Sequence, residues 1–152
     1  MRISPSAINK FTFFKLPSAW LTGVRCKEIT AQSCRVTVTH RWINQNPFNS
    51  MYFAVQAMAA ELSTGALVMK CIKESGVRIS MLVLNSDSSF TKKARGKITF
   101  TCNDGEEISR AIIQTAQDGK PQTVWMTAIG TDAAGDQVSK FRFEWTVKKK
   151  SS

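Results

Sequence analysis

Glu61 is set apart by its surroundings. From Ser50 to Met69 the chain reads SMYFAVQAMAAELSTGALVM, and Glu61 is its one carboxylate. A carboxylate among apolar groups is costly unless it is paired, used or solvated. Put to use, it serves as a general base or as a nucleophile. The plainer alternative is a Glu that reaches the rim of a helix and meets water. The residue alone leaves both readings open.

The element that must carry Glu61 is a long helix. Apolar side chains occur all round it, interspersed with small Ala54, Ala57, Ala59, Ala60, Ser63 and Gly65. Such a helix is buried rather than laid on a surface. Its length would also cross a bilayer. Glu61, Gln56, the Ser63-Thr64-Gly65 run and the lack of a second such segment favour a buried helix of a soluble domain, with no membrane span.

Elements that could surround this helix follow from local patterns. Ser4-Pro5 is a cap with proline at the first helical position. Ile8, Phe11, Phe14 and Leu16 then recur at helical spacing. Pro17 ends that helix, Ser18 to Leu21 adds a turn, and Gly23 closes a helical segment over residues 1–22. Val24–Thr30 and Arg35–Trp42 read as strands, joined by a turn at Ala31-Gln32-Ser33. Asn44 to Asn49 is a loop, with Asn49 or Ser50 as the cap of the long helix. Ser75-Gly76 marks its exit. Val77–Leu84 is a strand, 85–88 a bulge or turn, 90–94 a continuation, and Lys97–Cys102 another strand. Asn103-Asp104-Gly105 has hairpin-turn chemistry. Ile108, Ala111, Ile112 and Thr115 instead favour a short helix, its acidic first turn suiting the dipole. Thr123–Thr131 and Gln137–Lys148 form a hairpin, with Phe141, Phe143, Trp145 and Val147 on one face. An antiparallel sheet curled around one apolar helix satisfies this order, an α+β fold in a single domain. Its open edge would invite pairing with a second subunit.

Composition narrows the function. A chain of 152 residues that is 43% hydrophobic can bury a core and is not disordered. Cys26, Cys34, Cys71 and Cys102 form no CxxC pair, and His40 is the one histidine, so no typical zinc site and no metal are expected. Reduced thiols and the absence of a leader-like apolar core in MRISPSAINKFTFF point to the cytoplasm. Cys26 and Cys34 could face each other across a hairpin. The net charge of +10 admits nucleic acid, an anionic membrane or a phosphate-bearing ligand. Lys148 to Lys150 belong to a solvated basic tail, 148–152. Lys92, Lys93, Arg95 and Lys97 form the densest patch. No basic stripe carries interleaved aromatics, so nucleic acid is not the expected partner.

The stretch NQNPFNSMYFAVQAMAAELSTG, Asn44 to Gly65, resembles the hotdog-fold thioesterase superfamily. Within it, the chain looks like the small DUF4442 domains related to 4-hydroxybenzoyl-CoA thioesterases, with the likeness running from about Val24 to Val147. In better-known members an amide residue precedes a histidine by six positions, and an acid follows that histidine by nine. That spacing falls on Asn46, Tyr52 and Glu61. Tyr52 replaces the histidine, and Phe53 replaces a glycine whose backbone N–H serves the oxyanion hole. The polar residue one turn past the acid falls on Gly65, beside Thr64. The resemblance implies a hotdog fold, a curved antiparallel sheet wrapped around one long central helix with short extra helices. It also implies thioester hydrolysis of an acyl-CoA or acyl-carrier substrate in a homodimer or dimer of dimers, without a cofactor beyond the coenzyme A of the substrate. Glu61 would then be base or nucleophile. Asn46 would orient water or thioester, Tyr52 would donate a hydrogen bond, and the Phe53 N–H would meet the oxyanion. Glu61 lies roughly 13 Å along the helix from those N–H groups, so two helices side by side would be needed to meet at one carbonyl. Lys92, Lys93 and Arg95 could meet coenzyme A phosphates. Phe48, Met51, Met58 and Met69 could line an acyl tunnel or simply fill the core. The first rival is a hotdog protein that binds acyl-CoA or fatty acyl groups without hydrolysing them, and the second is a basic protein that binds nucleic acid with an affinity that falls steeply with salt.

Overall fold

A computed structural model describes residues 2–152; of the 1–22 segment, Met1 lies outside the described residues. Helix α1 (Pro5–Lys15) starts where the Ser4 hydroxyl accepts from the Ala7 N–H, and α2 (Pro17–Leu21) follows directly. Strands β1 (Arg25–Ile29) and β2 (Cys34–Thr39) form the first hairpin. Then come α3 (Phe53–Ser75), β3 (Ile79–Phe90), β4 (Lys97–Cys102), α4 (Gly105–Asp118), β5 (Gln122–Thr131) and β6 (Gln137–Lys149).

The six strands make one sheet in the order β1-β2-β4-β5-β6-β3, with every neighbour antiparallel. Alternation decides which side chains face α3. Val36 and Val38 of β2, Ile98 and Phe100 of β4, Met126 and Ala128 of β5 and Phe141, Phe143, Trp145 and Val147 of β6 point inward. They close on Val55, Ala59, Leu62, Ala66 and Leu67 of α3, all buried. The curved antiparallel sheet therefore wraps the long helix, and α3 packs against β1, β2, β4, β5 and β6. Gly76, left-handed at φ 68°, stops α3. The apolar face of α4, Ile108, Ala111 and Ile112, packs against α3, β5 and β6.

Three expectations change. The second strand ends at Thr39 rather than Trp42. Asn44 pulls the chain off the sheet: its Oδ1 accepts from the Arg41 N–H at 2.7 Å, and its Nδ2 donates to the Thr22 and Thr39 carbonyls. A short 3-10 turn, Trp42–Asn44, forms instead. The region 85–88 is no turn, because β3 runs on to Phe90 with a bulge between Val83 and Asn85 and residues 91–94 leave the strand. Neither Asn49 nor Ser50 caps α3. Ser50 is bound to Asn46, Asn49 turns the chain at φ 56°, and Tyr52 stands at the N-cap without a side-chain bond.

Among the described residues no helix is long and apolar enough to cross a membrane. The four cysteines are free, with the Cys26 and Cys34 sulfurs 3.9 Å apart across the first hairpin. No cluster of metal-ligating side chains occurs among the described residues.

Candidate active site

The start of α3 opens into a cavity of about 500 Å3. Asn46, Phe48, Met51, Tyr52, Phe53 and Gln56 line one side, and Phe90, Lys92 and Lys93 the other. The first helical bonds run to the Tyr52 carbonyl, from the Val55 and Gln56 N–H groups. The N–H groups of Phe53 and Ala54 meet no acceptor among the described residues. They are the unsatisfied donors that any helix start leaves, and here no side chain caps them. Donors at the positive end of a 23-residue helix favour an anion or a polarised carbonyl oxygen.

Asn46 sits at this cavity, but its amide is engaged within its own loop. Oδ1 accepts from the N–H groups of Phe48 and Ser50, and Nδ2 donates to the Ser50 hydroxyl at 2.9 Å and the Met51 carbonyl at 3.4 Å. That network shapes the turn that delivers Tyr52 and Phe53, both exposed, to the cavity. Lys92 is bridged to Asp132 at 2.6 Å and Asp136 at 2.9 Å. Arg95 donates from Nε to the Asn49 carbonyl and does not line the cavity. Lys93 forms no ion pair among the described residues and is the free ammonium at the rim.

Glu61 lines a separate, smaller cavity of about 210 Å3, with Phe11, Leu16, Leu62, Gly65, Met69 and Met81. Burial alone pushes its carboxyl up to about 7; no ion pair or hydrogen bond opposes the shift. The walls come from α1, the α1–α2 junction, α3 and β3, so apolar surfaces converge on one acid. Gly65 makes the room. A Cβ there would stand 3.1 Å from Glu61 Oε1 and 3.2 Å from the Trp145 ring. Within one chain the structure thus brings Asn46, Tyr52, Phe53, Lys92 and Lys93 to one cavity and leaves Glu61 at another.

Thr64 is buried and its hydroxyl is committed twice. It donates to the Glu61 carbonyl at 2.9 Å and accepts from Trp145 Nε1 at 2.9 Å. Thr64→Val strands the buried indole N–H and should cost about 1–3 kcal/mol of stability in chemical denaturation. A loss of turnover larger than the lost folded fraction would instead place Thr64 in the chemistry.

Of the apolar residues expected beside a ligand, Phe48 and Met51 line the first cavity and Met69 the second. Met58 lines neither, its sulfur meeting the Thr22 hydroxyl at 4.0 Å. Sequence reasoning passed over Gln56 as a site residue. It is 97% buried, lines the first cavity, and its Oε1 accepts from the Ser139 hydroxyl at 2.8 Å. The available signal was a lone amide one turn inside an apolar helix.

Solved structures share this architecture along nearly the whole chain. A Pseudomonas aeruginosa protein of unknown function, described as a probable thioesterase, superposes with a TM-score of 0.85 at 20% identity, covering 99% of both chains. A Chlorobaculum tepidum protein of unknown function gives 0.81 at 16% identity over 97% of this chain and 98% of the other. A Haemophilus influenzae thioesterase gives 0.74 at 12% identity over 98% and 93%. Among curated proteins none matches the chain. The arrangement is the hotdog fold, and residues 5–147 match the model of the domain of unknown function DUF4442, so the chain belongs to that family.

Proposed function

We propose that this protein hydrolyses the thioester bond of an acyl-CoA at a site shared between two copies of the chain. The observation that carries the reading is Glu61, an acid without a partner in an apolar cavity, with its pKa raised to about 7. A base poised near neutrality suits proton abstraction from water. The helix start supplies the complementary element, free N–H donors at a cavity. On one helix these groups lie roughly 13 Å apart along the axis, too far to share a carbonyl. A second copy with its α3 alongside would bring one chain's Glu61 to the other's Phe53 N–H. Strand β3, a twelve-residue edge that exposes Leu82, Leu84 and Phe90, offers a surface for such pairing. A homodimer is the minimum assembly, and a dimer of dimers is compatible with it.

In this mechanism the thioester oxygen sits against the Phe53 N–H. The ionised Glu61 takes a proton from water, and the hydroxide adds to the carbonyl carbon. Its π electrons move onto oxygen, where the helix-start donors hold the developing charge. Collapse of this intermediate breaks the C–S bond. The coenzyme A thiolate leaves and takes up the proton that Glu61 had accepted, which restores the carboxylate, and the acid product remains. Tyr52, which lines the same cavity, would donate a hydrogen bond to that oxygen, and Asn46 holds the loop. Lys93 is the cation available to a coenzyme A phosphate, since Lys92 is neutralised by two carboxylates. The description of similarly folded proteins as thioesterases supports the reading.

Two features favour a second reading, acyl-CoA binding without turnover: Tyr52 in the histidine position and the engaged Asn46 amide. The test is hydrolysis across short, long and aryl acyl-CoAs, with Glu61→Gln assayed alongside. Turnover that the variant loses while staying folded and oligomeric establishes the hydrolase. Saturable binding without turnover in the same preparations establishes the binder and removes the hydrolase.

A further inference from the structure

We propose that Gln56 donates a hydrogen bond from Nε2 to the carbonyl oxygen of the bound acyl group, beside the Phe53 N–H. This inference rests on the reading of the α3 start as the thioester-binding end of the site and names a residue that acts there.

The argument begins with burial. Gln56 is 3% exposed, yet it lines the cavity at the start of α3. A buried amide normally satisfies both ends. Here Oε1 accepts from the Ser139 hydroxyl at 2.8 Å, while Nε2 has no acceptor among the described residues. The Ser139 bond fixes the amide by its oxygen and leaves the NH2 end for the cavity. Nor is any buried side-chain nitrogen or oxygen sealed off without a partner among the described residues, so Nε2 keeps accessible surface on a residue that lines the cavity.

Position points the same way. Helical side chains lean toward the N-terminus and cover the preceding turn. Residue 56 is one turn past residue 53, so its amide overhangs the turn whose Phe53 and Ala54 N–H groups are free. One backbone donor and one side-chain donor thus belong to residues that line one cavity. A carbonyl oxygen has two lone pairs and accepts both. Two neutral donors also suit an oxygen whose charge is transient better than a lysine would, because they bind less tightly to a free carboxylate product. Asn46, the other amide at the cavity, is tied into its loop at both ends. Gln56 is the amide left to do this work.

The test compares wild type with Gln56→Met, which keeps volume, and Gln56→Glu, which keeps the acceptor facing Ser139 and removes the donor. Calorimetry measures binding of two hydrolysis-resistant ligands. One is a ketone analogue of acyl-CoA, with a methylene in place of sulfur. The other is an alkyl-CoA thioether of equal length without the carbonyl. The expected result is a loss of about 10–100-fold in affinity for the ketone with the thioether unchanged, in whichever variant folds. In turnover, kcat/KM should fall about 10²–10³-fold. Ser139→Ala should move both readouts in the same direction by less. Ketone affinity that stays at the wild-type level, or falls equally for both ligands, overturns the assignment, as does wild-type protein that binds neither. Selective loss of ketone binding in a protein without thioester turnover would retain Gln56 as the carbonyl ligand and remove the hydrolase.

Discussion

Glu61→Gln should lower thioester turnover by about 10²–10⁴-fold while leaving the fold intact. The amide fills the same volume but cannot take a proton from water. The pH dependence of wild type supplies the sign. Burial raises the Glu61 pKa to about 7, so the carboxylate form, and kcat/KM with it, should rise through about pH 7 and level off above it. Stability should move in the opposite direction. The folded pKa lies above the ordinary 4.5, so the protonated acid is favoured by folding. That contribution is whole below about pH 4.5 and is lost as pH rises through about 7. Wild type should therefore be less stable at about pH 8 than at about pH 5 through this group, and Glu61→Gln should lack that slope. The shift corresponds to about 3 kcal/mol. Urea denaturation of both proteins at the two pH values measures it. A variant with full turnover, or with the wild-type stability slope, would remove Glu61 from its assigned role.

Gly105→Ala should be the most damaging single-methyl change in the fold. Its Cβ would stand 2.1 Å from the Ala31 carbonyl oxygen and 2.7 Å from Gln32 Cα. These are backbone atoms, so no rotamer change relieves the overlap. The Gly105 N–H also donates to the Gln32 carbonyl at 3.0 Å, which locks the start of α4 onto the turn of the first hairpin. Relief requires the two elements to separate, at a cost of about 3 kcal/mol or more and a Tm drop of about 6–12 °C. Gly135→Ala is the control. Nothing lies within 4 Å of its Cβ, and only its φ of 86° opposes a side chain, at about 1 kcal/mol. Equal melting shifts for the two variants would refute the packing argument.

Periodicity carried much of the fold into the sequence. The uniformly apolar run around Ala59 and Ala60 has to be a buried helix, because no single face could be left to water. Alternation in Lys97–Cys102 and Gln137–Lys148 has to give strands with one face inward, and both elements stand within a residue of where the pattern put them. Left-handed Gly76 ended α3 where Ser75-Gly76 marked its exit. Two of the errors came where a side chain bonded outside the pattern that local propensity reads. Asn44 reaches Thr22, and no local rule of strand propensity contains that partner. Ser50 looks like a cap, yet Asn46 holds it.

The candidate site divides in the same way. A lone carboxylate in an apolar helix is visible in the residue string, and so is its need for use or a partner. The string determined that Glu61 and the start of α3 stand apart along one axis, because helical rise fixes that separation. Only the tertiary structure decided which surfaces cover each. α1 and β3 bring Phe11, Leu16 and Met81 over Glu61, which sets its pKa through desolvation. β6 brings Ser139 to Gln56 and Trp145 to Thr64, which frees one amide nitrogen and occupies one hydroxyl. Those assignments depend on contacts more than eighty residues apart in sequence. Periodicity says which face of an element is inward. It does not say which side chain of another element is there to meet it.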